Sequence, residues 1–116
     1  MKWEDTLNVL IELEKGVKGT AIVSTEGLPI ISVFPKGDDT TIAAMTSALL
    51  SLAKRSVIEM KTGEFDQLYI KGTDGNLLVM QAGPNALLVV STTKDVRLGL
   101  ILLDIKRTCE KIAGLI

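Results

Sequence analysis

Two apolar runs, Leu77-Leu78-Val79-Met80 and Ala86-Leu87-Leu88-Val89-Val90, flank the turn-forming tripeptide Gly83-Pro84-Asn85. Short aliphatic runs bounded by Gly, Pro and Asn read as strands joined by a hairpin. Neither run alternates polar with apolar residues, so neither strand has a face that can be left in water. The chain must therefore build a sheet with helices over both faces. The charge-free stretch that holds both runs, Gly75–Thr93, approaches the ~20 residues of a membrane span. Gln81 and Gly83-Pro84-Asn85 interrupt it at its middle. That suits a hairpin and not direct insertion into a bilayer.

The rest of the chain supplies what such a sheet needs. Trp3–Lys15 reads as a first amphipathic helix, with Trp3, Leu7, Leu10 and Ile11 on one side and Gly16 placed to cap its end. Gly19–Ser24 and Leu28–Phe34 are β-rich segments around Thr25-Glu26-Gly27, a first hairpin. Pro29 lacks an N–H, which puts the second strand at a sheet edge. Pro35-Lys36-Gly37 stops that strand, and Asp38 or Asp39 can cap a middle helix over Thr41–Lys61. Phe65–Gly72, Asn76–Ala82 and Ala86–Ser91 follow as three strands, and a last helix spans about Val96–Ala113. Its stripe of Leu98, Ile101, Leu102, Ile105, Cys109 and Ile112 suits a sheet, and Val96, Leu100 and Leu103 form a second cluster. Helix, two strands, helix, three strands, helix is an α+β order, expected to form one domain over residues 1–116 with hairpin connections throughout except the crossover through the middle helix.

That middle helix has no charge between Thr40 and Ala53. Ile42, Met45, Leu49, Leu52, Ala53, Ser56 and Met60 recur at helical spacing, a stripe expected to cover the sheet. The opposite side carries Ala43, Ala44, Ser47, Ala48 and Ser51, all small, where a solvated helix would carry Lys and Glu. Small side chains let a second helix approach closely. An edge strand over Phe65–Gly72 would offer free N–H and C=O groups to a partner strand. A chain of this length cannot wrap both faces of the helix by itself. The expected dimer interface therefore comprises Ala44, Ser47, Ala48, Ser51 and Arg55 on the helix, with Phe65, Gln67 and Tyr69 on the strand.

Composition removes several chemistries. Thirteen basic and fourteen acidic residues give a net charge of −1, and no basic run is present, so nucleic-acid binding has little electrostatic support. Aromatics are 3% of residues, leaving Trp3, Phe34, Phe65 and Tyr69 as the only stacking candidates. The absence of histidine removes the commonest zinc ligand and imidazole base, so Ser24, Ser32, Ser47 and Cys109 lack the usual activating partner. One cysteine, Cys109, makes no internal disulfide. No phosphate-binding Gly-x-x-x-x-Gly-Lys-Ser/Thr loop occurs, and Asp38 and Asp39 oppose anion binding at Lys36-Gly37. The close carboxylates Glu12/Glu14, Asp38/Asp39 and Glu64/Asp66 are explained by capping and solvation, and Arg55, Arg97 and Arg107 by surface or interface charge. No enzyme, cofactor or metal is expected. Acids precede any apolar run at the N-terminus, so no signal peptide is expected and the location is cytoplasmic.

The element order resembles the Roadblock/dynein light chain family. Gly16-Val17-Lys18-Gly19-Thr20-Ala21-Ile22-Val23 leading to Glu26-Gly27-Leu28-Pro29 carries the resemblance, with Phe65-Asp66-Gln67-Leu68-Tyr69-Ile70-Lys71-Gly72, Leu87-Leu88-Val89-Val90 and Leu98-Gly99-Leu100-Ile101-Leu102. It covers nearly the whole chain. The resemblance implies a profilin-like five-stranded antiparallel sheet with one helix on one face and two on the other. It also implies homodimers or heterodimers paired through the middle helix and third strand, giving ten continuous strands. Family members scaffold or regulate small Ras-like GTPases, some attach motor or membrane complexes to cargo, and certain bacterial members accelerate GTP hydrolysis without inserting an arginine. The expected function is a non-enzymatic dimeric regulator or scaffold of a small Ras-like GTPase. The alternative is a small-ligand sensor or profilin-like binding module, for which the apolar strands leave little polar lining.

Overall fold

The computed structural model describes residues 7–8, 16–34 and 39–115. Its elements are β1 (Val17–Ser24), β2 (Pro29–Val33), α1 (Asp39–Glu59), β3 (Gln67–Lys71), β4 (Gly75–Gln81), β5 (Ala86–Thr93) and α2 (Leu98–Leu115). The strands form one antiparallel sheet in the order β2-β1-β5-β4-β3. The hairpins β1–β2, β3–β4 and β4–β5 follow from their short turns, while α1 carries the chain across one face from the β2 edge to the β3 edge. Pro29 opens β2 at an edge, where its missing N–H removes no ladder bond from the sheet interior.

β5 lies at the centre because it is the strand that cannot be exposed. Leu87 and Val89 point into a core beneath α1 with Ala21, Val23, Val79, Ala43 and Leu50. Leu88 and Val90 point into the opposite core with Ile22, Leu78, Ile101, Ile105 and Ile112. All four of these β5 residues are fully buried. Most of the expected first helix lies outside the described residues, but Leu7 and Asn8 are helical and Leu7 is buried in the α2-side core. The α+β architecture expected from the sequence is the one observed.

Backbone geometry explains two turns. Gly27 has φ +94° in the β1–β2 turn, a conformation costly for any residue with a Cβ. A Cβ on Gly75 would overlap the Thr92 carbonyl oxygen, so β4 can meet the end of β5 only with glycine there. The Thr25 N–H donates to the Asn85 carbonyl (3.2 Å), tying the first hairpin turn to the β4–β5 turn.

The orientation of α1 departs from expectation. Its buried residues are Ala43, Thr46 and Leu50, not the Ile42–Met60 stripe. Met45, Leu52 and Met60 are 45%, 63% and 73% exposed. At ~100° per residue the helix is turned roughly a quarter revolution from the expected setting. The sheet beneath it is already filled by Val23, Leu87, Val89 and Val79, so small Ala43 and Thr46 allow close approach where larger residues would hold the helix off. The Ser47 hydroxyl donates to the Thr25 carbonyl (3.0 Å) and fixes that setting.

Candidate interaction surface

The turn of α1 decides which side chains it presents outward. Ala44, Met45, Ala48, Ser51, Leu52 and Arg55 are exposed, and from Ala44 to Leu52 that face carries no charge. Two of the expected small residues fall elsewhere. Ala43 is buried in the core, and Ser47 is half-buried against the β1–β2 turn. The outer face is thus a mixture of small residues with two large aliphatic ones, and Met45 and Leu52 add apolar area the sequence reading had assigned to the sheet.

Among the described residues, β3 has a neighbour on one side only. Leu68 packs into the α1-side core, so by strand alternation Ile70 shares that face, where it is 39% exposed. Gln67 and Tyr69 point to the opposite face. The Tyr69 hydroxyl donates to Asn76 Oδ1 (3.1 Å), and the Asn76 amide donates in turn to Thr92 Oγ1 (3.1 Å). Phe65 was expected on the strand, but it precedes β3 and is half-buried beside the α1-side core. Its aromatic ring finds more apolar contact there than an edge position would give. The structure therefore brings Ala44, Ala48, Ser51 and Arg55 together on one outer face. It leaves Gln67 and Tyr69 to contribute through the free backbone edge, and Met45, Leu52 and Ile70 are surface residues the sequence reading missed.

No group of three or more metal-ligating side chains occurs among the described residues. Burial pushes the Cys109 thiol up from an ordinary 9.0 to about 12, and the Glu110 carboxylate adds in the same direction. Folded Cys109 thus keeps its proton where the unfolded thiol has lost it. The associated stability is whole below pH 9.0 and is lost as the pH rises toward about 12. In that window the wild-type chain is expected to lose up to about 1.4 kcal/mol per pH unit more than a Cys109→Ala control, read from urea midpoints. Equal slopes would contradict the buried, neutral thiol.

An uncharged helix face beside an open strand edge is the surface the sequence resemblance anticipates, and the family model for the Roadblock/LC7 domain matches residues 3–92. The chain belongs to the Roadblock/LC7 domain family. A Methanocaldococcus jannaschii relative, the uncharacterized protein MJ1340, is 40% identical over 110 residues, covering 92% of this chain and 96% of the relative. The solved structure of Myxococcus xanthus MglB superposes with a TM-score of 0.90 at 21% identity, covering 99% of this chain and 94% of MglB. A structure described as MglB with tetrameric arrangement gives 0.87 at 20% identity, with 97% and 85% covered. At such identities the two structures establish the shared Roadblock fold alone. Among the described residues, no helix of this Roadblock chain is long and apolar enough to cross a membrane.

Proposed function

We propose that this Roadblock/LC7 chain is a non-enzymatic, cytoplasmic dimer that regulates or scaffolds a small Ras-like GTPase. The observation carrying this reading is the uncharged outer face of α1 lying beside the open β3 edge. Antiparallel pairing about a two-fold axis would set Ala44, Ala48 and Ser51 against their mates. It would also bring Asp39, at the start of α1, toward the partner's Lys54 and Arg55. Parallel pairing would stack like charges instead. Burying Leu52 would contribute ~1.5–3 kcal/mol per copy, and each β3–β3 hydrogen bond ~0.5–1.5 kcal/mol.

Family membership supports the GTPase as partner, because Roadblock proteins scaffold or regulate such enzymes. The lack of histidine and the buried, protonated Cys109 support a binding role. Capture of interacting proteins from native lysate is expected to recover a small GTPase. Its GTP hydrolysis, measured with and without the chain, would then separate regulation from scaffolding. A specific metabolite shift in thermal melts, with no GTPase recovered, would refute the reading.

A further inference from the structure

Two exposed features lie beside the α1–β3 surface. The first is the C-terminal tip of α1, where Ile58 and Met60 are 70% and 73% exposed. Ile58 sits about 120° round the helix from Leu52, so a partner packed on the outer face does not cover it. The tip closes with Lys61 N–H donating to the Ile58 carbonyl (3.1 Å) and Thr62 N–H to the Val57 carbonyl (2.9 Å). Lys61 is left-handed (φ 54°) at the position where helix ends favour glycine. Lysine at that position runs against backbone preference. Among the described residues the ion pair joins Arg107 to Asp104, and Lys61 has no acidic partner there.

The second feature is a groove of about 630 Å³ between α2 and the β3–β4 side of the sheet. Met80, Leu102, Leu103 and Cys109 give it an apolar lining, with Asp66 and Glu110 among its charged wall residues. A Cβ on Gly99 would meet nothing within 4 Å. No contact inside the protomer requires that glycine, which weakens the first turn of α2 but keeps the groove open there.

We propose that the α1 tip of one copy inserts Ile58 into this groove on a second copy. The charges match in both directions: Lys61 meets Asp66 and Glu110, while Glu59 on the tip meets Lys106 on the groove wall. Tip and groove are neighbours on one protomer. Phe65 lines both the groove and a smaller hollow of about 280 Å³ beside Ile58. A two-fold axis between them therefore allows both insertions at once, giving a closed contact and not an open fibre. Added to pairing through α1 and β3, it yields an assembly of four chains. It uses no residue of that pairing's uncharged face.

Sedimentation equilibrium of the full chain tests the contact. The wild type is expected to reach four chains as concentration rises, and Ile58→Asp to stop at two. Lys61→Glu and Glu110→Lys should each weaken the second association by about tenfold or more, and the two together should recover most of the loss. All three positions are exposed, so thermal melts should match the wild type. In an Ala48→Glu background the tip and groove should still hold two chains at high concentration, which separates this contact from the α1 seam. A wild type that never passes two chains, a concentrated Ala48→Glu protein that stays monomeric, or a double reversal no better than the single ones overturns the proposal.

Discussion

Ala48→Glu is expected to leave the chain monomeric in dilute solution, below the range in which the α1 tip engages its groove. Ala48 is exposed on the protomer at the middle of the uncharged face, so the substitution disturbs no contact within the fold. Its stability cost should stay within about 0.5 kcal/mol. In a close-packed seam the same change buries a carboxylate from each copy with no cation opposite. Each uncompensated buried charge costs about 3–5 kcal/mol, so even one weakens pairing by roughly two to four powers of ten. Sedimentation alongside the wild type reads this directly. A variant that remained a tight dimer in dilute solution, with an unchanged melt, would remove Ala48 from the interface.

Leu88→Ala carries the largest expected effect on folding. Leu88 is fully buried on the central strand and packs in the core formed with Ile101, Ile105 and Ile112. Truncating such a side chain removes transfer energy and leaves a cavity, about 2–5 kcal/mol together. Domains of this size hold only about 5–15 kcal/mol in all. The urea midpoint should fall steeply with little change in slope. Leu100→Ala, at a position 53% exposed on α2, should by contrast lie within about 0.5 kcal/mol of wild type. If the two variants lost the same stability, β5 would not be the centre of the core.

The readable part of the fold was the part governed by local chemistry. Pro29 marked an edge strand, Gly83-Pro84-Asn85 marked a hairpin, and the unbroken apolar runs of β4 and β5 demanded cover on both faces. These rules depend on residues a few positions apart. The residues on the outer face of α1 were only partly readable. Ala44, Ala48, Ser51 and Arg55 emerged on the outer face, but Met45 and Leu52 had been assigned inward because large aliphatic residues usually seek the core. The apolar spacing of α1 fits two helical settings about a quarter turn apart, and only the crowding beneath it chooses between them.

From the sequence alone came the order of elements from β1 to α2, the edge position of β2, the need for two covered sheet faces and the absence of charge along half of α1. What only the tertiary structure decided was the rotation of α1, the inward turn of Ser47 and Phe65, and the meeting of Asp66 with Glu110 along one groove. Secondary structure answers to neighbours along the chain. A helix's setting on a sheet, and the grooves left beside it, answer to the volumes of side chains dozens of residues away.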